Sequence, residues 1–152
     1  GGKADKVETA RKMLTQVIED GSAIRKLAEF VKAQGGDESY VYEPEKLPCA
    51  MIRKELHAPE NGCIQKIVCD EVGICSLILG GGRETKESQI DLSVGIRLVQ
   101  KVGAYVHKGD VLAEVFANDD QKLEEAMTRL QQAYHIGPKE VKEQKVILDV
   151  VK

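Results

Sequence analysis

Gly80-Gly81-Gly82-Arg83-Glu84-Thr85-Lys86 is the segment whose residue types best suit chemistry with an anion. Three successive glycines reach backbone angles that side chains resist, and their amides, beside Arg83 and Lys86, have the makings of a phosphate cradle. No Gly-Lys-Ser/Thr follows, however, and Glu84 would set a carboxylate against any bound anion. A solvated turn in which Arg83 pairs with Glu84, Glu87 or Asp91 is the plainer reading. A middle reading makes the segment a flap that reaches across a cleft when two domains close, excluding water without reacting itself. Gly80, Gly81, Gly82, Arg83 and Lys86 are the candidate residues of such a cleft-closing loop.

The other reactive residue types point less far. Cys63, Cys69 and Cys75 recur at equal spacing, with Cys49 upstream, but zinc sites pair ligands two to four residues apart at a tight turn. Small buried thiols are the expectation, with no disulfide in a reducing compartment and no metal. His57, His107 and His135 lie far apart and lack a Ser or Cys neighbour that would make a nucleophile pair. They read as surface or turn residues, so no catalytic residue is assigned. Tyr40, Tyr42, Tyr105 and Tyr134 are too scattered to stack bases.

The elements that must position these residues follow from periodicity. From Asp5 to about Ile18, Val7, Ala10, Leu14, Val17 and Ile18 recur at helical spacing, with Asp5 and Glu8 spaced as a capping box. Gly21 ends that helix, and Ser22 is placed to cap a second one carrying Ile24, Leu27, Phe30 and Val31, stopped by Gly35-Gly36. Asp37 to Pro48 reads as an extended connector. Strands are expected at Met51–Leu56, Cys63–Asp70, Ile90–Val99 and Val111–Phe116, with turns at Glu60-Asn61-Gly62, Gly80–Gly82 and Lys108-Gly109-Asp110. Gly73 breaks any longer strand, and Cys75–Leu79 reads as helical. Asn118 is placed to cap a helix with Leu123, Ala126, Met127, Leu130, Ala133 and Tyr134 on one side, stopped by Gly137-Pro138. Val146–Val151 reads as a final strand. The class is α+β.

Taken in order, Leu79-Gly80-Gly81-Gly82-Arg83-Glu84-Thr85-Lys86, Ile90-Asp91-Leu92-Ser93-Val94-Gly95-Ile96, Lys101-Val102-Gly103 and Lys108-Gly109-Asp110 resemble the C-terminal region of the pyrimidine-nucleoside phosphorylases, which include the thymidine phosphorylases. Ala33-Gln34-Gly35-Gly36-Asp37 and Ala58-Pro59-Glu60-Asn61-Gly62 are similar to further landmarks of that family, and the resemblance extends from Gly2 to Val151. It implies a helical hairpin over residues 1–36 belonging to a larger α/β domain, a linker over 37–48, and a hammerhead-like, barrel-sandwich domain over 49–152. The implied parent is a homodimeric pentosyltransferase that uses inorganic phosphate as co-substrate, with no cofactor held on this chain. The Ser-Gly-Arg-Gly, Gly-Gly-Thr and Lys-His-Ser segments that mark the family's substrate-binding half do not occur here. Gly1-Gly2-Lys3-Ala4 resembles an interior segment. The expectation is an inactive C-terminal fragment without catalytic or substrate-binding residues, whose partner is the rest of the enzyme.

Two other readings stay open. The same domain would serve as a stand-alone interaction module. Val102-Gly103 with Lys108-Gly109-Asp110 and Leu112 also resembles half of a biotin or lipoyl carrier motif, although Asn118-Asp119-Asp120 stands where the modified lysine belongs, and Lys86 precedes the Gly-Asp strand. Composition narrows the classes further. With 22 Lys+Arg against 25 Asp+Glu, a net charge of −3 gives no basic face for nucleic acid. No apolar run is long enough to span a membrane and no signal-like start is present, so a cytoplasmic chain is expected.

Overall fold

The computed structural model describes residues 2–83, 85–142, 147 and 149. The chain divides into two compact units, with the boundary in the sequence between Leu47 and Pro48. The first unit opens with a helical hairpin, α1 (Val7–Glu19) and α2 (Ser22–Ala33). The capping box is not formed: Lys6 is the N-cap, extended and without a side-chain bond, so Glu8 lies one position short of the third helical residue that the box requires. Nor does Ser22 cap α2. Gly21 turns the chain at φ +72°, and the Asp20 carboxylate accepts from the Ser22 amide at 2.8 Å, leaving Ser22 as the first helical residue. Residues 37–48, expected to be extended, contain a short helix α3 (Ser39–Tyr42) and a 3-10 turn at Pro44–Lys46. The Asp37 carboxylate starts α3 by accepting from the Ser39 amide at 2.8 Å, and Pro44 brings a preset φ to the 3-10 turn.

The second unit is α+β, as expected, and its described residues form two three-stranded antiparallel sheets. Its strands are β1 (Ile52–His57), β2 (Gly62–Ile67), β3 (Gly95–Leu98), β4 (Tyr105–Val106), β5 (Val111–Ala117) and β6 (Tyr134–Gly137). Among the described residues they pair as β1-β5-β3 and β4-β2-β6 and do not close into a barrel. Helix α4 (Cys69–Leu79) follows β2, and α5 (Asp120–Ala133) runs from β5 into β6. In the first sheet, Ala113, Val115 and Ala117 alternate onto one face, paired with Leu56, Lys54 and Ile52 of β1. One apolar cluster joins that face to α4, α5 and the second sheet through Ile64, Cys75, Leu79, Val106, Leu112 and Leu130. At roughly 1.5–3 kcal/mol per fully buried side chain, this cluster is what holds the unit together.

Several elements differ from their sequence reading. The strand expected over Cys63–Asp70 ends at Ile67, because α4 begins at Cys69 with Asp70 and Glu71 in its first turn, where acidic side chains suit the positive end of a helix. Gly73 lies inside that helix and does not break it. Only Gly95–Leu98 of Ile90–Val99 is strand, since Asp91 and Ser93 close a local turn first. Asp119, not Asn118, caps α5, accepting from the Lys122 amide at 2.9 Å. The α5 helix stops at Ala133, and Tyr134–Gly137 pairs with β2. The expected strand Val146–Val151 falls largely outside the described residues. No helix among the described residues is long and apolar enough to cross a membrane.

Candidate functional site

The three glycines are spent on ending α4. Gly80, at φ +103°, donates its amide to Leu77 O, and Gly81 donates to Ser76 O, both at 2.9 Å. These two bonds make a Schellman cap, which satisfies carbonyls that the helix would otherwise leave unpaired. A Cβ on Gly81 would come within 2.8 Å of Ser76 Oγ, and one on Gly82 within 2.9 Å of Leu77 Cδ1, so both glycines permit close packing on the helix. Two of the three amides that a phosphate would need therefore already face helix carbonyls, which disfavours the cradle reading.

Arg83, Thr85, Lys86 and Glu87 are exposed at the tip of the loop. Asp91, offered in sequence as a partner for Arg83, is engaged elsewhere. Its Oδ1 accepts from the Ser93 amide at 2.9 Å and the Ser93 hydroxyl at 2.6 Å, and its Oδ2 accepts from Asn118 Nδ2 at 2.7 Å. The Ser93 hydroxyl and amide, with Asn118, hold the Asp91 carboxyl below its ordinary value. The Asp91 amide donates to Gly80 O at 2.9 Å, which brings the two ends of the loop together. This is an Ω-like loop with a tied neck and a polar tip carrying Arg83 and Lys86. Lys86 sits between α4 and β3 rather than at a hairpin tip, and the chain after β5 runs straight into α5. Neither position is that of a carrier lysine.

The remaining candidate residues are not brought together. Cys63 and Cys75 are buried and Cys69 is exposed, and these three are not joined in disulfides. Cys75 Sγ faces Ala126 O at 3.4 Å, and burial pushes its thiol up, which suits a core residue rather than a nucleophile. His57 places Nδ1 at 2.9 Å from Gly109 O, and His107 packs edge-on against Tyr105 with ring centroids 5.4 Å apart. His135 is exposed on β6. No group of three or more His, Cys, Asp or Glu side chains suited to a metal occurs among the described residues.

One charged cluster was missed by the sequence reading. Glu114, near the middle of β5, has its side chain only 5% exposed and lies between Arg53 of β1 and Arg97 of β3. Arg97 Nε is 2.5 Å from Glu114 Oε2, and Arg53 Nη2 is paired with Oε1. Burial pushes the Glu114 carboxyl up, but the two guanidiniums outweigh it and hold it below its ordinary value. The available signal was Glu114 standing alone among Leu112, Ala113, Val115 and Phe116. A carboxylate in the middle of an apolar strand needs a cation on a neighbour.

Comparison with known proteins names the architecture. The profile of the pyrimidine nucleoside phosphorylase C-terminal domain matches residues 63–137, from β2 to the end of β6. A pyrimidine-nucleoside phosphorylase of Geobacillus stearothermophilus is 42% identical over 149 residues, covering 98% of this chain and 34% of that protein. One from Bacillus subtilis (strain 168) is 47% identical over 116 residues, covering 76% and 27%, and one from Staphylococcus haemolyticus (strain JCSC1435) is 43% identical over 131 residues, covering 82% and 30%. The chain thus spans about a third or less of the length of the curated relatives it matches. It belongs to the pyrimidine-nucleoside phosphorylase family and carries that family's C-terminal region.

Proposed function

We propose that this chain is the C-terminal part of an enzyme that cleaves pyrimidine nucleosides with inorganic phosphate, giving the free base and a pentose 1-phosphate, and that it turns over no substrate alone. The observation that carries this reading is the 42% identity along 98% of the chain to a pyrimidine-nucleoside phosphorylase of which it covers only 34%. In such a reaction phosphate attacks the anomeric carbon while the glycosidic bond breaks. The sugar gains cationic character and the base leaves with negative charge. Catalysis therefore needs donors on the base and a cationic cradle for phosphate, held in register. The described residues supply no such constellation, and the missing groups are assigned to the longer relatives' remaining two thirds.

In this reading the contribution of the region is positional. Gly80, Gly81, Gly82, Arg83 and Lys86 form a loop that closes over the cleft from one side and excludes water. The parent acts as a cytoplasmic homodimeric pentosyltransferase, with phosphate as co-substrate. The test is an assay of the purified chain with thymidine or uridine and phosphate, following release of the base. No release above the uncatalysed rate is expected, and turnover by this chain alone would overturn the proposal.

A further inference from the structure

The loop neck is tied to the rest of its unit through one side chain that the sequence suggested only as a helix cap. Asn118 lies between the last residue of β5 and Asp119, the N-cap of α5, and is half-buried. Its Oδ1 accepts from the Met51 amide at 2.8 Å, one residue before β1. Its Nδ2 donates to Asp91 Oδ2 at 2.7 Å and to Ser93 Oγ at 2.8 Å. Asp91 in turn donates its amide to Gly80 O, where the Schellman cap ends α4. Both donors and the carbonyl of the amide are thus in use, and the partners fix its orientation, since a carboxylate must face the NH2 and a backbone amide must face the oxygen.

We infer that Asn118 is a positioning residue which, through Asp91, clamps the neck of the Gly80–Asp91 loop to the β1-β5-β3 sheet. The loop base then moves with the sheet. This rests on the reading of that loop as a cleft-closing element, but the clamp itself is tested without any substrate. Ser93 completes it, because its hydroxyl donates to Asp91 while accepting from Asn118. Only an amide fits at position 118. Aspartate has the same shape but replaces the donating NH2 with a carboxylate oxygen that faces the Asp91 carboxylate and has no proton for Ser93.

Amide hydrogen exchange on the intact chain, read residue by residue for Asn118→Ala, Asn118→Asp and Ser93→Ala, decides the matter. Asn118→Ala is expected to speed exchange at the Gly81, Asp91 and Ser93 amides by roughly tenfold or more, as loss of a hydrogen bond to a charged group implies, with β5 amides unchanged. Asn118→Asp is expected to open the neck further at pH 7 and to recover protection as the pH is lowered and the two facing carboxylates come to share a proton. Ser93→Ala gives the smaller increase and serves if either Asn118 variant fails to fold. Neck protection unchanged in the variants, protection lost equally from neck and β5, or no acid recovery in Asn118→Asp would overturn the inference. A chain that proves active alone would sink the functional proposal and leave this result standing.

Discussion

At the scale of single residues, the Arg53–Glu114–Arg97 cluster has the most to say about stability, because its central carboxylate is buried while its two cations are 57% and 67% exposed. The arginines keep their stems on the sheet and their heads in water, so the pair does not carry the full penalty of a buried ion pair. Glu114 titrates from an ordinary value of 4.5 in the unfolded chain to a lower one in the fold. A depressed folded value means that its stabilisation is present above about pH 4.5 and is lost as the pH falls through the folded value. Asp91, lowered from 3.8, adds a loss of the same sign at more acid pH. A pH series of thermal melts should therefore fall steeply below about pH 4.5 in the wild type. Glu114→Gln should melt lower at pH 7 and show a shallower acid limb. An acid limb identical in the two proteins would show that the cluster does not couple folding to protons.

At the scale of elements, close backbone approach decides where a side chain is tolerated. Gly62 opens β2 opposite Val106 of β4 and next to β6, and a Cβ there would lie 2.8 Å from Ile136 Cγ2 and 2.9 Å from Gly137 O. Because one obstacle is backbone, Gly62→Ala must push β6 away, at a cost of about 1–3 kcal/mol. Gly73 sits within α4 with nothing within 4 Å of its would-be Cβ and without a positive φ, so Gly73→Ala should stabilise by about 0.5–1 kcal/mol. Denaturant midpoints of the two variants should move in opposite directions, and movement in the same direction would contradict this account. The same pair shows what the sequence could reveal. Helical spacing exposed α1, α2 and α5, and short strand-length runs bounded by turn residues exposed β1 and β5, since those patterns are local. β6 was hidden because Tyr134–Gly137 continues the α5 pattern, and only pairing with distant Cys63–Ile67 makes it a strand. The glycine run was legible as a turn. Its neck was not, because Asn118 reaches Asp91 across 27 positions of chain.

At the scale of the whole molecule, the two units differ in how they are held. The second unit has a continuous core, whereas among the described residues up to Leu47 only Ala28 is buried. Val7, Leu14, Ile18, Ile24, Leu27 and Phe30 stand exposed along α1 and α2, with Leu14 at 63% and Phe30 at 62%. Helices of 13 and 12 residues are near the length at which an isolated helix is marginal, so packing of this stripe must supply most of their stability. Exposed apolar patches of this extent mark interaction surfaces. In the proposed enzyme, the two thirds of the relatives that lie outside the match would cover this one. In the chain alone, α1 and α2 amides should therefore exchange at least about a hundredfold faster than those of β5, which open only with the core. Leu14→Lys with Phe30→Lys should reduce any concentration-dependent association in sedimentation while leaving β5 protection unchanged, as polar replacements at exposed positions do. Protection of α1 and α2 equal to that of β5 at low concentration would mean that the stripe is covered within the chain itself, and its assignment to the missing part of the enzyme would fail.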